Sequence, residues 1–148
     1  RFCTLERDEF LKQLNNTSHF ITTSGLTATL EAFALRTPTS FIPPTNLSQW
    51  NILKLLTRKG CADSKIEWAD ILSHETDFEG LSEKDAIPKF HQIAEESYNN
   101  VKNHDRFIHN LNNLITPIPS RNKQTEFIES AGTNGSEVIV QDLITNLV

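Results

Sequence analysis

The chain has 148 residues, enough for one compact domain with a real core and too few for two ordinary domains plus a linker. A hydrophobic fraction of 37% with nine Phe and two Trp predicts a folded core, and no apolar run approaches the roughly 20 residues that span a bilayer. The net charge of −5, with fourteen basic residues scattered along the chain, argues against nucleic acid as a partner.

The first half reads as alternating strand and helix. Arg7 to Asn15 carries Phe10, Leu11 and Leu14 at helical spacing, with Asp8 and Glu9 in the opening turn where the helix dipole favours negative charge. Ser18 to Thr22 is β-branched and aromatic, and Ser24-Gly25 stops it as a short strand. Leu26 to Leu35 is apolar almost all round, as a helix buried against a sheet must be. Thr37-Pro38 breaks that helix, Thr39 to Ile42 is the next strand, and Pro43-Pro44 ends it because proline cannot donate to a ladder. Asn46 or Ser48 then caps a helix through Trp50, Leu53, Leu56 and Arg58, with Gly60 as its stop, and Cys61-Ala62 reads as another short strand. The fold class expected over 1–62 is therefore α/β, a Rossmann-like parallel sheet flanked by helices.

From Asp63 the pattern turns mainly helical, within the same single domain of 1–148. Ser82 to Asn103 spaces Ile87, Phe90, Ile93, Ala94, Tyr98 and Val101 as a helix does, and Pro88 is tolerable there if it sits in the first turn. Phe107 to Ile115 is one more amphipathic helix, and Thr116 to Ser120, with two prolines, is an exposed connection. Ala131 to Ser136 reads as a turn, Glu137 to Val140 as a strand and Gln141 to Leu147 as a closing helix, or the last two as one continuous helix.

The stretch from Thr22 to Ala32 carries the chemistry. A strand feeds through one glycine into a buried helix, so free backbone N–H groups and the helix dipole face whatever approaches Gly25, which has no Cβ to obstruct a phosphate. Ser24 and Thr27 add hydroxyls. Glu31, four residues after Thr27, shares its face and sets a carboxylate one turn below, suited to a pair of sugar hydroxyls. The bland alternative is that Ser24 only caps the helix and Glu31 meets solvent or an arginine. A second cluster, Pro43-Pro44-Thr45-Asn46-Leu47-Ser48-Gln49, follows the next strand at the same carboxyl edge, where open α/β sheets bind ligands.

These residues resemble the donor-binding domain of GT-B glycosyltransferases, especially the MurG-like and UDP-glycosyltransferase branches. The resemblance rests on an S-G-x-T-x-T-x-E-A helix opening, a proline between helix and strand, and a P-x-N-x-x-Q loop, and covers about Thr22 to Gly60. It implies that the N–H groups of Gly25, Leu26 and Thr27 hold a donor diphosphate, that Glu31 accepts from the donor ribose, and that Asn46 and Gln49 touch the transferred sugar. It implies a nucleoside-diphosphate sugar as donor, no metal or other cofactor, and an amino-terminal acceptor domain or partner chain. Many relatives place a His shortly before the glycine and a second glycine beside it, where this sequence has Thr22, Thr23 and Ser24.

Two other readings stand beside this one: a non-catalytic partner subunit or degenerate nucleotide-binding module, and a sugar-nucleotide epimerase, for which no acid–base pair is visible. His74, His91, His104 and His109 lack the i, i+4 spacing of a metal site. The pairs Asp77/Glu79 and Glu95/Glu96 read as solvated helix faces, Trp50 and Trp68 as packing residues, and His19 as a satisfied core histidine. Cys3 and Cys61, without a CxxC pair or a His cluster, read as two free thiols of a reducing cytoplasm. The sequons at Asn15, Asn46 and Asn134 are expected to be unused, because no leader precedes Phe2. Arg1 in place of Met fits a piece of a longer protein, silent in catalysis on its own.

Overall fold

A computed structural model describes residues 4–72, 74, 76–116 and 118–132. In chain order they form α1 (Arg7–Asn16), β1 (Phe20–Thr22), α2 (Leu26–Ala34), β2 (Thr39–Phe41), α3 (Leu47–Arg58), α4 (Trp68–Ile71), α5 (Glu83–Asn99), α6 (Val101–Ile115) and α7 (Asn122–Ala131). The two strands are parallel, with Phe20 opposite Thr39, Ile21 opposite Ser40 and Thr22 opposite Phe41. The fold is thus mixed α/β and rich in helix. Among the described residues the parallel sheet has two strands, so the full Rossmann-like sheet expected from the sequence is not what they display.

Side chains alternate across a strand, and the packing follows that alternation. Phe41 lies in a buried cluster with Phe33 of α2, Leu53 and Leu56 of α3, and Ile128 of α7. Ile21 and Ile42 pack instead on a cluster of Ile66, Ile71 of α4 and Leu114 of α6. The β1–β2 pair is therefore covered by helices on both faces, which is why β2 is buried along its whole length. A third cluster, Leu47, Leu72, Phe78, Ala86, Phe90 and Ile93, joins α3 to α5, and the Phe78 and Phe90 rings stack with centroids 4.1 Å apart.

The strand expected at Cys61-Ala62 does not form. Gly60, at φ 69°, turns the chain out of α3, and the Cys61 N–H closes that turn on the Leu56 carbonyl. The ladder contact moves downstream: the Phe41 N–H donates to the Ser64 carbonyl, and the Ile66 N–H donates to the Phe41 carbonyl. The long helix expected to run to Asn103 breaks earlier, at Asn100. Its extended backbone ends α5, and its side-chain carbonyl accepts from the Lys102 and Asn103 N–H groups to start α6. Pro88 lies in the second turn of α5, beyond the first turn expected for it, and is exposed along with Lys84, whose carbonyl it leaves without a helical donor.

The stretch 121–130 carries no expected element, yet it folds as α7 against α2. The connection before it is only partly exposed, since Pro119 is buried. Cys61 is buried, and that burial pushes its thiol pKa up, as Asp63 does to a lesser degree. The strand and helix expected within 137–147, the sequon at Asn134 and Cys3 lie outside the described residues. No helix of the described residues is long and apolar enough to cross a membrane.

His19 sits just before β1, partly buried. Its Nε2 lies 2.8 Å from the Ser40 hydroxyl, which is itself 2.7 Å from the Ser64 hydroxyl, and the ring also meets the Ile115 backbone carbonyl. One imidazole thus ties β1, β2, the Ser64 loop and the end of α6 together. Burial holds its pKa below the ordinary 6.5, against a smaller opposite effect of the Ile115 carbonyl. The unfolded chain then binds a proton before the folded one does, so this contribution is intact above 6.5 and is lost as the pH falls from there to the depressed folded value. We expect urea midpoints to drop between about pH 7.5 and pH 5.5, and the drop to shrink in His19→Gln, which keeps a hydrogen-bonding group without titrating.

Candidate functional site at two helix starts

The loops after β1 and β2 open side by side, because two parallel strands deliver both helix starts to one edge. Ser24 is fully buried, and its hydroxyl donates to the Gln49 backbone carbonyl at 2.7 Å, which ties the first loop to the first turn of α3. Gly25 is the N-cap of α2 and has no side chain to cap with. Its own N–H turns back to the Thr23 carbonyl, and its carbonyl accepts from Thr29. The N–H groups of Leu26, Thr27 and Ala28 have no protein acceptor among the described residues, as expected of an uncapped first turn.

The backbone does not require glycine at position 25. Its φ of −69° suits any residue, and an added Cβ would meet nothing within 4 Å. Leu26, a large apolar side chain, is 56% exposed beside it, and Thr27 is exposed as well. The first turn of α2 is therefore an open end with the dipole's partial positive charge, flanked by hydroxyl and apolar surface.

Glu31 lies one turn deeper, but its Oε1 accepts from the Arg7 guanidinium at 3.1 Å, with side-chain exposures of 18% for the acid and 77% for the base. The bland alternative for Glu31, an arginine partner, is the contact observed. An ion pair this exposed contributes about 0–1 kcal/mol, so a ligand can displace it at small cost. Which arginine pairs with Glu31 is not legible in the sequence, because nothing local relates residues 24 positions apart.

In the second loop, Asn46 is the N-cap of α3, and its Oδ1 accepts from the Gln49 N–H at 2.9 Å. The Gln49 Oε1 accepts from the Thr45 N–H at 2.8 Å and from the Thr45 hydroxyl at 3.0 Å. Both amide oxygens are thereby committed. The NH2 groups of Asn46 and Gln49 have no acceptor among the described residues, and these four donors fit an oxygen-rich ligand.

Ser24, Gly25, Leu26 and Thr27 are thus joined to Gln49 and Asn46 through one hydrogen bond, while Glu31 is turned to Arg7. The larger cavities of the described residues, such as those beside Trp50 and beside Phe10, are lined by other residues. Among the described residues no cluster of three or more His, Cys, Asp or Glu side chains is arranged for a metal ion. His74 approaches Glu96 at 3.9 Å and His109 approaches the Asn113 amide, both at the surface. No known protein family, curated protein or solved structure is detectably similar to the chain.

Proposed function

We propose that the chain is the nucleotide-sugar-binding portion of a glycosyltransferase, taking a nucleoside-diphosphate sugar at the start of α2. The observation that carries this reading is the set of three unpaired N–H groups, Leu26 to Ala28, opening at the carboxyl edge of a parallel strand pair beside a glycine that neither backbone nor packing requires. The diphosphate accepts from those amides, and the NH2 groups of Asn46 and Gln49 donate to the sugar. Glu31 reaches the ribose once Arg7 swings away. In this chemistry the protein supplies positioning and charge stabilisation of the leaving diphosphate, with the acceptor held by another domain or chain.

Isothermal titration with UDP and other nucleoside diphosphates tests the reading. Wild-type chain should bind, and Gly25→Val should lose binding at least about tenfold at a cost of about 1 kcal/mol in stability, since glycine is well favoured over apolar residues at an N-cap but nothing packs against this position. Equal affinity in the two proteins would remove the α2 start as the diphosphate site. Glu31→Ala separates this reading from a second, a degenerate nucleotide binder, which the existing Glu31–Arg7 pair favours. Weakened binding of UDP supports the ribose contact, and unchanged binding supports the degenerate module.

A further inference from the structure

A cavity of about 450 Å3 lies between α3 and the segment leading into and out of α4, away from the α2 start. Its size falls within the roughly 300–1,000 Å3 of small-molecule sites. Both tryptophans of the chain, Trp50 and Trp68, line it. Both pack against the buried cluster that joins α3 to α5, as expected of packing residues, and both remain partly exposed at the cavity.

Their settings fix what they offer. The Trp68 Nε1–H donates to the Pro44 carbonyl at 2.7 Å, so this indole presents ring surface and has no donor left for a ligand. Trp50 is held edge-on by Phe78 at 5.8 Å, and the Lys54 ammonium sits 4.7 Å from its ring centre. Around the rings stand Lys54 and Arg58 on one account and Glu67 and Asp77 on the other. Two positive and two negative groups cancel, so the cavity has no net charge with which to select a phosphate or a metal cation. Lys54 is already paired with Glu79, and Glu67 with Lys65, whereas Arg58 meets no carboxylate within 4.0 Å among the described residues.

A purely apolar ligand would strip water from these charged groups and leave them unpaired, which is costly. A neutral ligand with an apolar face for the indoles and many hydroxyls for guanidinium, carboxylate and threonine groups satisfies both halves of the lining. We propose that this cavity binds a neutral saccharide, stacking a sugar ring on the Trp68 indole beside Trp50 and Lys54, while Arg58 donates to and Asp77 accepts from its hydroxyls. The site goes beyond the nucleotide-sugar reading, because it needs no nucleotide to be present. Pro44 borders the cavity and precedes the Asn46 cap, so an occupied cavity also adjoins the loop that carries Asn46 and Gln49.

The two tryptophans make the test local, since all indole fluorescence arises in this cavity. Neutral trisaccharides of glucose and of N-acetylglucosamine are titrated without nucleotide, with backbone amide NMR shifts of Trp68 and Ala69 as a second readout. A saturable change in the millimolar range is expected, weakened about tenfold or more in Arg58→Ala and in Asp77→Asn, each of which removes one charged hydrogen-bonding group. Both positions are exposed, so these variants keep the fold, which thermal melts verify. Absence of any saturable change in both readouts overturns the proposal. So does wild-type affinity in both variants, or saturation of the same signals by UDP in Gly25→Val, where the α2 start is blocked, which would make the cavity a nucleobase site. Loss of UDP binding at α2 leaves these outcomes unaffected, so the two proposals fail separately.

Discussion

Phe33→Ala is expected to destabilise the chain by about 3–5 kcal/mol, the range for deleting a large buried aromatic side chain. Phe33 is wholly buried on the inner face of α2, and meets Phe41 and Phe127 edge-on at centroid distances of 6.5 and 6.2 Å. It belongs to the single buried cluster that joins β2, α3 and α7. Removal leaves a cavity that cannot collapse easily, because β2 is buried on both sides. In a chain of this length the loss corresponds to a midpoint lowered by on the order of 10 °C, readable by calorimetry. The functional consequence follows from the same packing: α2 carries the three unpaired amides, and a helix that shifts on the sheet misaims them. A loss under about 1 kcal/mol would mean that the α2–β2 packing is not the central contact of the fold.

The second large effect is expected at Gln124. It is almost fully buried on α7, where its Oε1 accepts from the Thr39 N–H at 3.1 Å and its Nε2 donates to the Thr39 carbonyl at 2.8 Å and the Cys61 carbonyl at 3.0 Å. One side-chain amide thus completes the hydrogen bonding of β2 where a neighbouring strand would otherwise stand. Gln124→Ala leaves three buried backbone groups without partners, each costing about 1–3 kcal/mol, so a loss of roughly 3 kcal/mol or more is expected. Gln124→Glu keeps the shape but loses the Nε2 donor and points a carboxylate at two carbonyls. Its burial raises the carboxyl pKa above that of the unfolded chain, so this variant should gain stability as the pH is lowered, in the opposite sense to His19. Equilibrium urea unfolding at pH 5 and pH 8, together with exchange of the Thr39 amide, reads both effects. A Thr39 amide that stays protected in Gln124→Ala would overturn the assignment.

Both predictions concern contacts between segments far apart in the chain, and that separates what could be read from the sequence from what could not. α1, β1, α2, β2 and α3 were legible nearly to the residue, because their ends are marked by local chemistry: Gly25, Pro38, Pro43-Pro44, the Asn46 cap and Gly60. Local patterns failed where a partner decided the outcome. Cys61-Ala62 has the composition of a strand, but the α3 turn and Gln124 claim its backbone, and the pairing with β2 passes to Lys65. α7 carried no signal strong enough to assign, since a helix whose key buried residue is a glutamine has a weak apolar stripe.

The candidate site divides along the same line. The order of strand, glycine and buried helix, and the arrival of Asn46 and Gln49 at the same edge, follow from sequence alone, because parallel strands joined through a helix must place both loops at one end. Only the tertiary structure decided that Ser24 binds the Gln49 carbonyl, that Glu31 meets Arg7, and that two tryptophans 18 residues apart share one cavity. Local dihedral preference and side-chain period act over a few residues, and so the sequence states them directly. Hydrogen bonds and ion pairs between distant segments depend on how whole faces pack, a competition among all buried groups that no short stretch records.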